Sequence, residues 1–179
     1  LETHAFDLEQ EIRLAMYPLR EVVAQKALLV ALEIDPDVPR YLLGDALRVR
    51  QVVRQLYDNA VKFTEHGKIV VAVRCLERSP EYALLEISVC DTGIGLDDEQ
   101  KARIFNRFEQ SDNSITRRYA GTGIGLALAA KLVQFMGGEM GVDSTPGQGS
   151  TFRFSLPVGI ETPPASAASG GVDCETNGR

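Results

Sequence analysis

Apolar residues recur at helical spacing in the opening segment, where Leu8, Ile12, Ala15, Leu19, Val22 and Val23 predict an amphipathic helix over about residues 7–26. Pro18 lies inside that pattern, and its missing N–H and fixed ring should kink the helix or split it. Leu28 to Ile34 then reads as a strand, closed by the turn-rich run Asp35-Pro36-Asp37-Val38-Pro39. A second helix is predicted from about Asp45 to Phe63, with Leu47, Val52, Leu56, Ala60 and Phe63 on or near one face. Asp45 is its natural N-cap.

Alternation takes over next. Lys68 to Leu76 places Ile69, Val71, Val73 and Cys75 on one face, and Tyr82 to Cys90 places Leu85, Ile87 and Val89 on one face with Glu86 and Ser88 on the other. Arg78-Ser79-Pro80 between them reads as a hairpin connection. A short helix is expected over Asp97 to Phe105, then a polar, mobile loop over residues 107–121. Thr122 to Met136 is a strongly apolar helix stopped by Gly137-Gly138. Glu139–Ser144 and Gly149–Pro157 form a last hairpin around Pro146-Gly147. This order predicts an α+β fold, a two-layer α/β sandwich with helices on one face of a mixed sheet.

The domain is expected to occupy residues 1–158. Residues 159–179 turn to Pro, Ala, Ser, Gly and a few charges with no hydrophobic period, as in a disordered tail or linker. At 179 residues the chain suits one such domain, on a prior of roughly 150 residues each. Lys and Arg total 19 against 25 Asp and Glu, a net charge of −6, which argues against a broad basic face for nucleic acid. No apolar run approaches the ~20 residues that span a bilayer, and no signal peptide is expected ahead of the fold. Cys75, Cys90 and Cys174 are too few and scattered for a disulfide framework or a zinc site, so the reducing cytoplasm is the expected setting.

The chemistry concentrates in two glycine clusters, Asp91-Thr92-Gly93-Ile94-Gly95-Leu96 and Gly121-Thr122-Gly123-Ile124-Gly125-Leu126. Glycine allows close backbone approach to a ligand, and the second cluster opens a helix whose free N–H groups suit phosphate. Neither is a Walker A loop, because no Gly-Lys-Ser/Thr follows, and the GxGxG spacing misses the dinucleotide fingerprint. Nucleotide binding by another architecture is the expectation.

Five motifs then fall in the order found in sensor histidine kinases. Asn59-Ala60-Val61-Lys62-Phe63-Thr64 resembles their N box, Asp91-Thr-Gly-Ile-Gly their first glycine box, and Phe105-Asn-Arg-Phe108 their F box. Gly121-Thr-Gly-Ile-Gly-Leu resembles the second glycine box and Gly147-Gln-Gly-Ser-Thr-Phe152 the closing glycine motif, while Phe6-Asp7-Leu8 fits the family's lead-in. The chain thus resembles the catalytic ATP-binding domain of a histidine kinase, of the GHKL superfamily shared with gyrase, MutL and the ninety-kilodalton heat-shock chaperone. The resemblance implies the Bergerat ATP-binding fold, with ATP and Mg2+ as ligands.

Residue by residue, the resemblance makes Asn59 the magnesium ligand, its amide oxygen being a hard donor. Lys62, one helical turn on, matches the phosphate-contacting lysine. Phe63 would wall the adenine pocket, with a plain core role as the alternative. Asp91 matches the acid that accepts from the adenine amine, and Gly93 and Gly95 would let the chain pass close to the base. Residues 107–121 match the ATP lid, in which Arg117 would reach the γ-phosphate and Arg118 is a second candidate. Gly121, Thr122, Gly123, Gly125 and Leu126 would present the helix start to the phosphates. Thr151 would reach the adenine side, unless it is only a strand-face threonine.

Two positions depart from the family pattern. Gln55 stands where many members have asparagine and related ATPases have a water-activating acid, so ATP hydrolysis should be slow. Ala120 replaces a glycine at the entry to the second glycine box. Neither His4 nor His66 has a phosphoacceptor context. The expected partners are therefore a dimerisation domain carrying the histidine and a receiver domain. The isolated domain should be monomeric, the parent a homodimer and either soluble or anchored in the inner membrane. The competing readings are a nucleotide-impaired regulatory module that pairs with another kinase, and a gyrase-like ATPase.

Overall fold

A computed structural model describes residues 2–109 and 124–162. Strand β1 (His4–Asp7) leads into helix α1 (Leu8–Met16), whose first turn is capped by Asp7 Oδ1 accepting from the Gln10 N–H at 3.2 Å. The predicted first helix does break at Pro18. A single 3-10 turn, Tyr17–Leu19, separates α1 from α2 (Arg20–Gln25), and Pro18 lies at the start of that turn, where no intrahelical donor is needed. Ala27 follows with φ +52, a left-handed residue that turns the chain into β2 (Leu29–Ile34).

Strand β3 (Tyr41–Gly44) precedes α3 (Ala46–Phe63), and Asp45 caps α3 by accepting the Arg48 N–H at 3.2 Å. The buried stripe of α3 is Val49, Val52, Val53, Leu56, Tyr57, Ala60 and Val61. Leu47, expected on that stripe, is 58% exposed. It lies about two and a half turns before Leu56, which puts it on the opposite side of the helix.

Strands β4 (Lys68–Arg78) and β5 (Tyr82–Asp91) form the expected hairpin, burying Ile69, Val71, Val73, Leu85, Ile87 and Val89 as the alternation requires. Helix α4 (Asp98–Glu109) is capped reciprocally by Asp97 and Gln100, at 2.7 and 2.9 Å. It runs past Phe105, so residues 107–109, expected in the loop, are helical. Helix α5 (Ile124–Phe135) ends at Gly137, φ +81, with the Gly138 N–H returning 2.9 Å to the Val133 carbonyl. Strands β6 (Met140–Thr145) and β7 (Gly149–Ile160) close the chain.

The sheet runs β1-β3-β7-β5-β4-β2, with β6 also paired to β7. Among the described residues β2 and β4 pair in parallel and the other neighbours antiparallel, which makes the sheet mixed. β1 and β3 were not legible as strands, because four residues each leave too little room for alternation to show. β7 continues to Ile160, where Gly159 and Ile160 pair with Leu43 and Leu42. The sheet thereby takes up two residues of the stretch read as tail, and residues 163–179 lie outside the described residues.

One face of the sheet is covered by helices. Leu85, Ile87, Phe152, Phe154 and Leu156 meet Ile12 of α1, Val52 and Leu56 of α3 and Val133 of α5 in a single core. The fold is the expected α+β two-layer sandwich. No helix among the described residues is long and apolar enough to cross a membrane.

Candidate functional site

Asp91 is the last residue of β5, held between Ile69 of β4 and Ser150 of β7 in the central part of the sheet. Alternation directs it to the helix-covered face, and it is 4% exposed. Its Oδ1 accepts the Gly93 N–H at 2.9 Å. Burial pushes its carboxyl above the ordinary carboxylate range, although the Gly93 and Ser150 main-chain N–H groups and the neighbouring Thr64 hydroxyl pull the other way. Thr64 Oγ1 is itself buried and is left without a well-formed hydrogen bond.

The loop after Asp91 is stitched to two neighbours. The Ile94 N–H reaches the Phe63 carbonyl at 3.3 Å, the Gly147 N–H reaches the Ile94 carbonyl at 2.7 Å, and the Leu96 N–H reaches Ser144 Oγ at 2.7 Å. The glycines serve this stitching. A Cβ on Gly93 would overlap the Phe63 carbonyl, and one on Gly95, φ +69, would overlap the Thr145 carbonyl. On the side where a Cβ would stand, both glycines therefore lie against the protein's own main chain.

Helix α3 brings its residues to the same end of the sheet. Gln55, Asn59 and Phe63 recur every four residues on one side and are half-buried, whereas Lys62 is exposed, its Nζ 5.9 Å from the Phe63 ring centroid. Gln55 Oε1 fills the position a Cβ on Gly125 would need, so the first turn of α5 sits directly against α3 one turn before Asn59. Gln55 is thereby a packing partner of the second glycine cluster. The Leu126 side chain packs into the core, 5% exposed. The α5 start, Asn59, Lys62 and the Asp91 loop are the elements that the structure gathers around α3.

Thr151 and Ser150 lie on opposite faces of β7. Thr151 pairs with the exposed Cys90, whereas Ser150 pairs with Asp91. Neighbours across a ladder share a face, so Thr151 points away from Asp91 and the buried Ser150 points with it. Sequence spacing missed Ser150, Thr64 and also Lys26, whose ammonium donates to the Val61 carbonyl at 2.8 Å and the Thr64 carbonyl at 3.3 Å. Arg117, Arg118, Gly121, Thr122 and Gly123 lie outside the described residues, as does the lid beyond residue 109. Among the described residues no three His, Cys, Asp or Glu side chains gather into a cation site. A divalent ion here would rest on Asn59 and on the ligand's own oxygens, which suits Mg2+.

Comparison with known proteins defines the class. Residues 44–160 match the family described as "Histidine kinase-, DNA gyrase B-, and HSP90-like ATPase". The chain belongs to that family, and its domain is the catalytic ATPase domain of the histidine-kinase type. It is 42% identical over 156 residues to the sensor protein GacS of Pseudomonas syringae pv. syringae, covering 87% of this chain and 17% of that protein. It is 44% identical over 150 residues to the sensor histidine kinase AruS of Pseudomonas aeruginosa, covering 81% and 15%. The chain thus spans about a sixth of the length of these relatives. A full-length ShkA structure in complex with AMPPNP superposes with TM-score 0.75 at 31% identity, over 92% of this chain and 33% of that one. The catalytic domain of histidine kinase ThkA shares the fold, with TM-score 0.66 at 24% identity over 88% and 96%.

Proposed function

We propose that this domain binds ATP with Mg2+ and hands the γ-phosphoryl group to a histidine on a dimerisation domain elsewhere in the protein. The observation that carries the reading is Asp91, a buried carboxylate fixed at the end of β5, whose following loop meets the C-terminal end of α3 at Phe63 and Thr64. A buried carboxylate needs partners, and the exocyclic amine of adenine supplies a donor. The orphaned Thr64 hydroxyl beside it marks the same place as unfinished without a ligand.

Asn59 would hold Mg2+ by its amide oxygen, and the ion would neutralise phosphate charge. Lys62 would meet the phosphates from the exposed side of α3, and the N–H groups at the α5 start, from Gly123 and Gly125, would cradle them. Arg117 would stabilise charge on the transferring group. In the transfer an imidazole nitrogen of the accepting histidine forms a P–N bond as the bond from the γ-phosphorus to the bridging oxygen breaks, and ADP leaves with that electron pair. Gln55, an amide packed on α5, offers no base to activate water, which favours transfer over hydrolysis.

The dimerisation domain and a receiver domain are the proposed partners. Relatives named as hybrid kinases, such as hybrid signal transduction histidine kinase B of Dictyostelium discoideum at 38% identity, support the second. We place the domain in the cytoplasm as a monomer when isolated, within a homodimeric parent. Calorimetric titration with AMPPNP, with and without Mg2+, tests the binding step. Micromolar, Mg2+-sensitive binding is expected, and no binding up to millimolar nucleotide would overturn the reading. Arg117→Ala should spare that affinity and slow transfer; a large loss of affinity would make Arg117 a ground-state contact.

A further inference from the structure

Thr64 is 0% exposed, and its Oγ1 has no hydrogen-bond partner. It is the C-cap of α3, with extended backbone angles of −111° and 111° that turn the chain out of the helix. The hydroxyl is set against the Asp91 loop: a Cβ built on Gly93 would lie 2.9 Å from Thr64 Oγ1. The carboxylate of Asp91 is the adjoining acceptor. One of its oxygens takes the Gly93 N–H, and a carboxylate has room for about four donors.

A threonine hydroxyl carries one hydrogen and two lone pairs. In the nucleotide complex its hydrogen would close onto the adjoining Asp91 carboxylate, a bond not made in the empty domain, and only lone pairs would then face the ligand. Asp91 presents lone pairs as well. The pair therefore offers acceptors alone, and a ligand that offers a carbonyl there would set acceptor against acceptor.

We propose that Thr64 is a specificity-determining residue of the nucleotide site, pairing with Asp91 to favour a purine with an exocyclic amine over one with a carbonyl at that position. This rests on the nucleotide reading above. It also explains why a fully buried hydroxyl is kept at a helix end where valine would pack as well, since an unmade hydrogen bond inside the protein destabilises the empty domain.

The test compares the full chain with Thr64→Val, which keeps the shape and removes the hydroxyl, and Thr64→Ser, which keeps the hydroxyl. Titrations use AMPPNP and GMPPNP, and thermal melting is followed without nucleotide. Thr64→Val should melt higher than wild type, yet bind AMPPNP about tenfold more weakly and discriminate less against GMPPNP. Thr64→Ser should recover wild-type AMPPNP affinity to within about threefold. A purely structural role would move melting and affinity downward together, without rescue by serine, and that result would overturn the proposal. So would Thr64→Val binding both nucleotides as wild type does. If wild type binds neither nucleotide, the nucleotide reading falls and takes this inference with it; if wild type binds and Thr64→Val is unaltered, this inference alone falls.

Discussion

The Lys26 ammonium lies 2.8 Å from the Val61 carbonyl oxygen, across the C-terminal end of the helix that carries Asn59. It also reaches the Thr64 carbonyl at 3.3 Å and Glu65 Oε1 at 3.1 Å, so one cation closes several main-chain acceptors that α3 cannot satisfy itself. Lys26→Met should cost about 1–3 kcal/mol, read from urea denaturation, because part-buried carbonyls lose a charged donor. Lys26→Arg should recover part of it. An unchanged denaturation midpoint for Lys26→Met would show that water replaces the ammonium without loss.

Asp91→Asn removes the acceptor charge while keeping the shape. ATP affinity should fall about 10- to 100-fold, the scale of a hydrogen bond to a charged group, and the preference over GTP should shrink. Equal affinity in mutant and wild type would remove Asp91 from the site.

The same carboxyl also sets a pH dependence of stability. Its folded pKa is raised above the ordinary 3.8, so the folded state holds the proton more tightly than the unfolded one. The stabilisation is complete below the unfolded value and is lost as pH rises through the folded value. Wild type should therefore gain stability relative to Asp91→Asn as pH is lowered from 7 toward 4, in paired melts of the empty domain. A constant or widening deficit of wild type would mean that the carboxyl's hydrogen bonds outweigh its burial.

Gly95→Ala separates packing from ligand clearance. A Cβ at φ +69 against the Thr145 carbonyl should destabilise the empty domain by about 1–3 kcal/mol or more. If melting is unchanged and only nucleotide binding suffers, the glycine serves the ligand after all.

The long, regular elements were legible in the sequence for plain physical reasons. Ile69, Val71 and Val73 alternate over enough residues to define a buried strand face, and Pro18 has few places to sit except a helix break. Tyr41–Gly44 was not legible, because a four-residue strand takes its identity from its neighbours β1 and β7. The site divided in the same way. Asp91 announced itself by its place between a strand and a glycine turn. Ser150 and Thr151 sit one residue apart in the closing motif, and in a strand one residue reverses the face, so motif spacing alone does not say which shares the side of Asp91. Lys26 and Thr64 gave no motif signal: Lys26 meets carbonyls more than 30 residues away, and Thr64 faces a loop that begins at Asp91.

Phosphoryl transfer tests the functional reading most directly. The domain is mixed with Mg2+, γ-labelled ATP and a separately supplied dimerisation domain that carries the accepting histidine. Label should appear on that histidine as an acid-labile, base-stable phosphoramidate, and it should be lost with Asp91→Asn or Asn59→Ala. Tight ATP binding with no label on the histidine, or label that is indifferent to both substitutions, would contradict a histidine kinase catalytic site built around Asp91 and α3.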